Sequence, residues 1–416
     1  MSRNSGMAPE VWRTWRDFKA AIWNKRVVFF GASQDWSVKT LDQCDIALEA
    51  FVDNNTSLLG TFCCDVEVRS PDILREKEDD VYVVITSGAY ESICPQLIEY
   101  GLKPGIDFCI TPALNNLRVI TEIHSHEATI LISSPDHKIY TELDKDAEVG
   151  GGLYVYSLQE RACKKVLDGT FHQIVDTGQE YYVAEEQKGI CKVSKQFELV
   201  DTFGFEEGSK CHGIAYCPRR NIVCIGRAGL DKVSAYDAAT RELGFTIELS
   251  DKIKRSGKSE HWVNDLCVRD DYLYISVFSL SGAYLKGIYD GGILQVDLEN
   301  PSKRYVLVHD VWMPHTVRFF DSQICFLDSM NGYFYRTNQN IMGEFDGFMR
   351  GLAFDGKYYY VGQSETRYFD RLKGIKKHIA MSAGFYLFDD ETKAAKFFCT
   401  PNIRQIHDLC YVAEES

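Results

Sequence analysis

The chain has 416 residues, 45% of them hydrophobic and 25% charged, and a formal net charge of −14. That length supports a sizeable core and two domains, while the acidic balance argues against nucleic acid or an anionic membrane as partner. No run of about 18 apolar residues marks a membrane span, no signal-peptide core follows Met1, and the fourteen scattered Cys, without a Cys-x-x-Cys, read as reduced thiols of a cytoplasmic protein and exclude a structural zinc site.

Residues 1–25 are expected to form an N-terminal amphipathic helix, because Val11, Trp12, Trp15, Phe18, Ile22 and Trp23 follow helical spacing. From Arg26 to Pro112 short apolar runs alternate with helical stretches. Strands are expected at Val27–Phe30, Ala50–Val52, Val81–Ile85 and Asp107–Ile110. A helix is expected near Tyr90–Tyr100, with Pro95 in its first turn and Gly101 as its stop. Alternation of this kind implies a small doubly wound parallel sheet. Residues 113–127 read as a linker. From Ala128 to Ser416 strands of five to seven residues follow one another between Gly, Asp and Asn turns, as in Tyr272–Val277 after Asp270-Asp271. The expected fold class is an α/β Rossmann-like domain followed by an all-β six-bladed β-propeller.

The second part repeats a short pattern six times, a polar residue just ahead of a buried strand. The leads are His172, His212, Asn264, His315, Arg350 and His407, at steps of 40, 52, 51, 35 and 57 residues. These steps approximate one four-stranded blade. The last copy has only nine residues after it, so the strands at 129–133 and 153–157, with Lys165-Val-Leu, are expected to complete the sixth blade around it. Six leads around one axis would gather four His, one Asn and one Arg at one channel mouth.

Three readings of His172, His212, His315 and His407 stand open. They can hold a divalent metal, as neutral imidazoles converging from several blades. One can act as general base beside Asp265, Asp408 or Glu365. Or each can simply tie an inner strand to the next blade. Arg350 and Arg318 suit a carboxylate or phosphate. His261, Trp262 and Asn264 form a polar–aromatic group suited to a sugar, and Asp328, Ser329 and Gln363–Glu365 end second strands near the same mouth. Two loops are expected over it. One is the Gly- and Tyr-rich 279–292; the other is the basic 366–378, with Arg367 and Arg371. The basic segment 252–258 is expected nearby. Together they imply an anionic ligand; the plainer account is a solvated charge run. Motifs for a serine hydrolase, a phosphate-cradling loop and a zincin are absent.

In the front domain, Gly31 follows the first strand and Asp53 the second, as in dinucleotide sites. One glycine stands where that fingerprint needs three, with Ser33 and Trp36 beside it, so NAD is not expected. The phrases Val27–Ser33, Ala50–Asn54, Val68–Asp72 and Val84–Gly88 resemble the Rossmann-like domains at the front of sugar acyltransferases and other polysaccharide-biosynthesis proteins. That resemblance implies a nucleotide sugar held by Gly31, Ser33, Asp53 and Ser87, against the simpler account of a docking or dimerising domain. In the propeller, Met313–Arg318, Phe326–Ser329, Gly347–Phe354 and Val361–Ser364 resemble the bacterial family of domain of unknown function 4915. The resemblance marks His315, Arg318, Asp328, Ser329, Arg350 and Ser364, and implies the propeller fold without an activity. This chain departs from the family pattern by its front domain and its longer basic loop at 366–378.

The expected function is an enzyme of cell-surface glycan or small-molecule biosynthesis. It would act on an anionic sugar or nucleotide sugar at the propeller mouth, as a lyase, epimerase or hydrolase, with His212, His315, His172, His407 and Asp265 in acid/base or metal roles. The rival is a non-catalytic propeller that binds a glycan or protein. A homo-oligomer is left open.

Overall fold

The computed structural model describes residues 11–76, 80–135, 150–251, 257–337, 340–372, 374–401 and 403–413. The chain divides into two compact units, Met1–His124 and Ser125–Ser416. Among the described residues no helix is long and apolar enough to cross a membrane.

The first unit is a mixed six-stranded sheet with few helices. Its helices are α1 (Trp15–Ala21), α2 (Gln34–Gln43), α3 (Tyr90–Glu99) and α4 (Asn115–Ser125). Its strands are β1 (Arg26–Phe30), β2 (Leu48–Val52), β3 (Phe62–Cys63), β4 (Val66–Arg69), β5 (Val81–Ile85) and β6 (Phe108–Ile110), in the order β3-β4-β2-β1-β5-β6. Pairing is parallel from β4 to β6, and β3 runs antiparallel at the edge. The β5 run Val-Tyr-Val-Val-Ile is buried along its whole length because apolar clusters cover both faces, the usual state of a parallel sheet.

Three sequence expectations change here. Of the expected N-terminal helix, residues 1–10 lie outside the described residues, and within 11–25 the helix covers Trp15–Ala21, capped by Thr14, whose hydroxyl accepts from Asp17 N. Residues 115–125, read as linker, form α4, and Pro95 lies inside α3 rather than in its first turn. Strands β3 and β4 escaped notice because they are two and four residues long and mostly not apolar runs.

The second unit holds six four-stranded antiparallel sheets arranged as a β-propeller. The innermost strands of blades one to six are Phe171–Asp176, Cys211–Cys217, Val263–Arg269, Pro314–Phe320, Phe348–Phe354 and Asp408–Val412. In the sixth blade, Asp408–Val412 pairs antiparallel with Thr129–Ser134, which leads out to Gly152–Ser157 and Ala162–Asp168. Adjacent blades bury apolar side chains between them, as where Ala215, Cys224 and Val233 meet Val263, Leu266 and Ile275.

Of the six leads only His407 precedes its strand. His172, His212, Asn264, His315 and Arg350 sit inside theirs. The first five inner strands each carry a register irregularity just there, between Phe171 and Ile174 for example, or between Val263 and Leu266. A bulge frees two residues from the ladder and re-aims them. In blades one, two, three and five the freed pair is the lead and the residue after it; in the fourth the lead His315 still pairs with Leu327, and Thr316 and Val317 are freed.

Candidate functional site at the propeller mouth

The residue after each lead closes the channel. Gln173 reaches across it: its Oε1 accepts from Ile214 N (2.9 Å) and Leu266 N (2.8 Å), and its Nε2 donates to Leu266 O (2.6 Å). Asp265 accepts from Thr316 N (2.6 Å), Thr316 Oγ1 from Gly351 N (2.9 Å), and Asp408 from Ile174 N (2.9 Å). Each bond ties one blade's side chain to another blade's backbone at or just past its bulge, and Gln173, Asp265, Thr316 and Asp408 are all buried. Where the position is Gly213, a Cβ would drive into the Asn264 carbonyl. These six residues form a plug beneath the leads. Of them, sequence reasoning had singled out Asp265 and Asp408.

Above the plug the four histidines meet. Ring centres of His172 lie 4.1 Å from His212 and 4.7 Å from His407, and His407 is 5.9 Å from His315. Their hydrogen bonds give them different roles. His315 Nδ1 faces Met313 O (3.0 Å) and Ser329 Oγ (2.6 Å), and Ser329 gives its own proton to Met349 O. Nδ1 therefore carries the proton. Nε2 accepts from Arg350 Nε at 3.1 Å. Both nitrogens are engaged, which removes His315 as a free base or metal ligand. Burial, then the Arg350 charge, holds its pKa well below the usual imidazole value.

His212 donates Nδ1–H to Lys210 O at 2.9 Å, so Nε2 bears the lone pair. Among the described residues Nε2 has no hydrogen-bond partner, and His212 alone of the four is not fully buried. Burial, then His172 and His407, depresses its pKa well below the ordinary value. His407 Nε2 lies 3.1 Å from Asp265 Oδ1, and its Nδ1 is 3.4 Å from His172 Nδ1. Burial pushes Asp265 up and His407 well down. This pair is a buried dyad behind His212. His172 Nε2 stands 3.6 Å from Glu186.

The donors of the metal reading do not converge. Among the described residues no group of three or more His, Cys, Asp or Glu is placed to hold a metal ion. The physical reason is that each ring is already turned by a carbonyl, a carboxylate or a guanidinium.

An aromatic box stands over the ring; sequence reasoning had marked Trp262 and the Tyr-rich loop but not Trp312. Trp262 stacks on Tyr284 (5.0 Å), Tyr284 meets Tyr289 (5.8 Å), and Tyr289 stacks on Trp312 (6.4 Å). His212 touches the box through Trp262 at 5.9 Å. Asp231 builds this corner, in a left-handed conformation at φ 46°. Its carboxylate accepts from Ser259 Oγ (2.5 Å), His261 N (3.1 Å), Trp262 N (2.9 Å) and Glu260 N. His261 is thereby a support: its Nδ1 bonds Ser279 O at 2.8 Å under the 279–290 loop. Asp328 is another support, accepting from Trp312 N and from the Asn331 amide and side chain.

The second loop brings the cations. Arg371 lies 4.8 Å over Tyr289 and 4.6 Å over Tyr368, and Arg367 lies 5.4 Å over Tyr368. Arg350 rests 4.9 Å over Phe348 beneath them. Burial alone would raise the Tyr368 phenol. The charges of Arg367, Arg350 and Arg371 outweigh it and hold that phenol below its usual value. Glu365 is turned away, its backbone and carboxylate facing Arg404. Asn264 has a buried Oδ1 with no partner among the described residues.

Arg318 is the clear displacement from expectation. It projects beyond the plug, paired with Asp408 and donating to Ile174 O at 3.0 Å, and lines the opposite end of the channel. The bulge explains this: counting from the lead His315, Arg318 is where the ladder resumes. Of segment 252–258, only 257 and 258 lie among the described residues.

In the first unit, Gly31, Ser33, Asp53 and Ser87 gather at the carboxyl ends of β1, β2 and β5. A Cβ on Gly31 would come 2.5 Å from Ser87 Cβ, so glycine is required for the two turns to touch. Asp53 accepts from Ala32 N and Asn55 N, both at 2.8 Å. Ser87 Oγ accepts from Ala89 N.

The model of a family described as "Domain of unknown function (DUF4915)" matches residues 262–414. That span runs from Trp262 to the closing strand. No curated protein matches the chain. Solved structures with similar folds include a chain of a nidogen/laminin complex, at 12% identity and TM-score 0.48, covering 69% of this chain and 99% of that one. A calcium-binding protein, regucalcin, from Agrobacterium tumefaciens has 14% identity and TM-score 0.43 over 58% and 77% of the two chains. A putative gluconolactonase has 14% identity and TM-score 0.39 over 56% and 78%.

Proposed function

We propose that the propeller mouth binds an anionic carbohydrate derivative and moves a proton on it. The observation that carries this reading is the set Arg350, Arg367 and Arg371 around Tyr368, directly over neutral imidazoles, in a chain of net charge −14. Three guanidiniums gathered around a partly buried phenol focus positive potential where the rest of the protein is acidic. The ligand's carboxylate or phosphate is bound by Arg367 and Arg371. Its ring stacks on Trp262 and Tyr284, which offer apolar faces beside polar edges. His212 Nε2 is the proton acceptor at the ligand. His407 and Asp265 position it from behind. A lone pair on a neutral, depressed imidazole suits lyase, epimerase or lactone-opening hydrolase chemistry.

The first unit is read as Rossmann-like. Its strand order changes direction at β1, and Gly31, Ser33, Asp53 and Ser87 lie at the edge where such sheets bind ligands. A nucleotide sugar is the ligand proposed for it.

The test is a thermal-shift screen of sugar acids, sugar lactones and nucleotide sugars on the full chain, repeated with Arg371→Ala and Asp53→Ala. Ligands of the mouth raise the melting temperature of the parent and lose that effect in Arg371→Ala. Hits that proceed to turnover are then assayed with His212→Gln. The reading is abandoned if anionic sugars give no shift, or if His212→Gln turns over as fast as the parent.

A further inference from the structure

The mouth holds a phenol that the proton chemistry above leaves unused. Tyr368 follows the second strand of blade five, Tyr359–Ser364, which returns to the mouth because Ser364 pairs with Phe348. Its ring packs 5.2 Å from Phe348 on the innermost strand of the same blade. The inner strands touch in chain order around the axis, and the sixth touches the first. Blade five therefore stands opposite blade two, which carries His212.

The charges around Tyr368 set it apart from the other phenols of the mouth. Arg367 and Arg371 come from its own loop, 5.4 and 4.6 Å from its ring centre, and Arg350 comes from the inner strand below, over Phe348. Tyr284 and Tyr289 face it from the 279–290 loop, and the exposed Asp370 lies 3.9 Å from Arg371 Nε. Burial pushes Tyr284 and Tyr289 up. At Tyr368 burial acts in the same direction, but the three guanidiniums outweigh it, because nearby cations favour phenolate over phenol. This phenol therefore gives up its proton more readily than an ordinary tyrosine. The imidazole on the opposite blade has its Nδ1–H on Lys210 O and its lone pair on Nε2.

We propose, resting on the reading of His212 as proton acceptor, that Tyr368 is the proton donor on the other side of the ligand, and that the ligand is a sugar acid inverted at the carbon next to its carboxylate. His212 Nε2 takes the hydrogen of that carbon as a proton. The C–H electron pair moves into the carboxylate, giving an enediolate held by Arg367 and Arg371. The opposite face of the carbon then takes the hydroxyl proton of Tyr368, and the electron pair returns to form the new C–H bond. His212 is left as imidazolium and Tyr368 as phenolate, and proton exchange with water resets both. No oxidant or reductant enters. A carboxylate seated on Arg367 and Arg371 takes up part of their charge, so Tyr368 keeps its proton until the enediolate forms.

Two measurements on the full chain test this. The first needs no ligand: ultraviolet titration of tyrosinate in the parent and in Tyr368→Phe. The difference between the two curves should rise below the ordinary tyrosine value of about 10, and Arg371→Ala should raise the pH at which it appears. A difference at or above the ordinary value overturns the proposal and leaves the binding reading intact. The second measurement incubates the protein with glucuronate, galacturonate and gluconate in deuterium oxide, and follows the hydrogen beside the carboxylate by proton NMR. With at least one acid the parent should exchange that hydrogen and form the epimer. Tyr368→Phe should slow epimer formation about 100-fold or more while exchange through His212 continues, and His212→Gln should lose the exchange. An acid that raises the melting temperature yet exchanges no such hydrogen overturns the proposal alone, as does undiminished epimer formation in Tyr368→Phe. If no acid shifts the melting temperature, the binding reading fails and the proposal fails with it.

Discussion

His212, His315 and His407 all sit where protonation is disfavoured by burial and by neighbouring charge. The unfolded chain then binds protons that the folded chain refuses once the pH falls below about 6.5. Stability from these groups is present above that pH and lost as pH falls. Asp408, raised by burial to about 6, has the opposite sign: its stabilising term is present below the unfolded carboxylate value and is lost as pH rises through 6. Three histidines outweigh one carboxylate, so stability should fall as pH drops through 6.5 and go on falling below 6, where Asp408 offsets at most one of the three protons. Each histidine contributes at most about 1.4 kcal/mol per pH unit. Urea unfolding at pH 8, 6.5, 6 and 5 reads this directly; flat or rising stability toward acid would contradict it. His212→Gln should keep this fold and lose turnover about 100-fold or more on any substrate found. Residue types at the mouth were visible in the sequence because the turn-and-lead pattern repeats. Their division of labour was not. It depends on which nitrogen faces Met313 O, Lys210 O or Asp265, and the last of these contacts spans 142 residues.

At the scale of elements, the bulge in each of the first five inner strands decides the outcome. In blades one, two, three and five it frees two residues in succession, the lead and the plug residue. The five-to-seven-residue strands were legible from their period and turns. The plug was not, since Gln173 earns no attention until its partners Ile214 and Leu266 are known, 41 and 93 residues away. Gln173→Ala strands two buried N–H groups and a carbonyl. It should cost about 3 kcal/mol or more, measured as a lower urea midpoint at constant slope. Gly351 makes the same point with backbone geometry: at φ +80° its absent Cβ leaves room for Leu409 of the next blade. Gly351→Ala should destabilise by about 1–3 kcal/mol, and equal stability would show that the inner strands can shift. The loops differ in kind. Arg371→Ala removes two cation–aromatic contacts from half-exposed rings, and should change stability by less than about 1 kcal/mol while abolishing mouth binding.

At the scale of the molecule, the propeller is closed by one pairing, Asp408–Val412 against Thr129–Ser134. The near-axial contacts reinforce it: His407 N bonds Ser133 O, and Asp408 N bonds Ser133 Oγ. The remainder of the last repeat was predictable because nine residues cannot make a blade. A chain stopped after Ile406 should lose the cooperative melting transition of the second unit, seen by calorimetry; a normal transition would mean that five blades close alone. The same pairing imposes a schedule on the ribosome. Thr129–Ser134 leaves the exit tunnel as a bare strand edge, and its partner follows only after most of the propeller has been made. At about 5–20 residues per second the wait is roughly 15 s to a minute. During that interval the apolar run Ile130-Leu131-Ile132 is an open template for other chains, so yield of folded protein should depend on whatever shields that edge during synthesis.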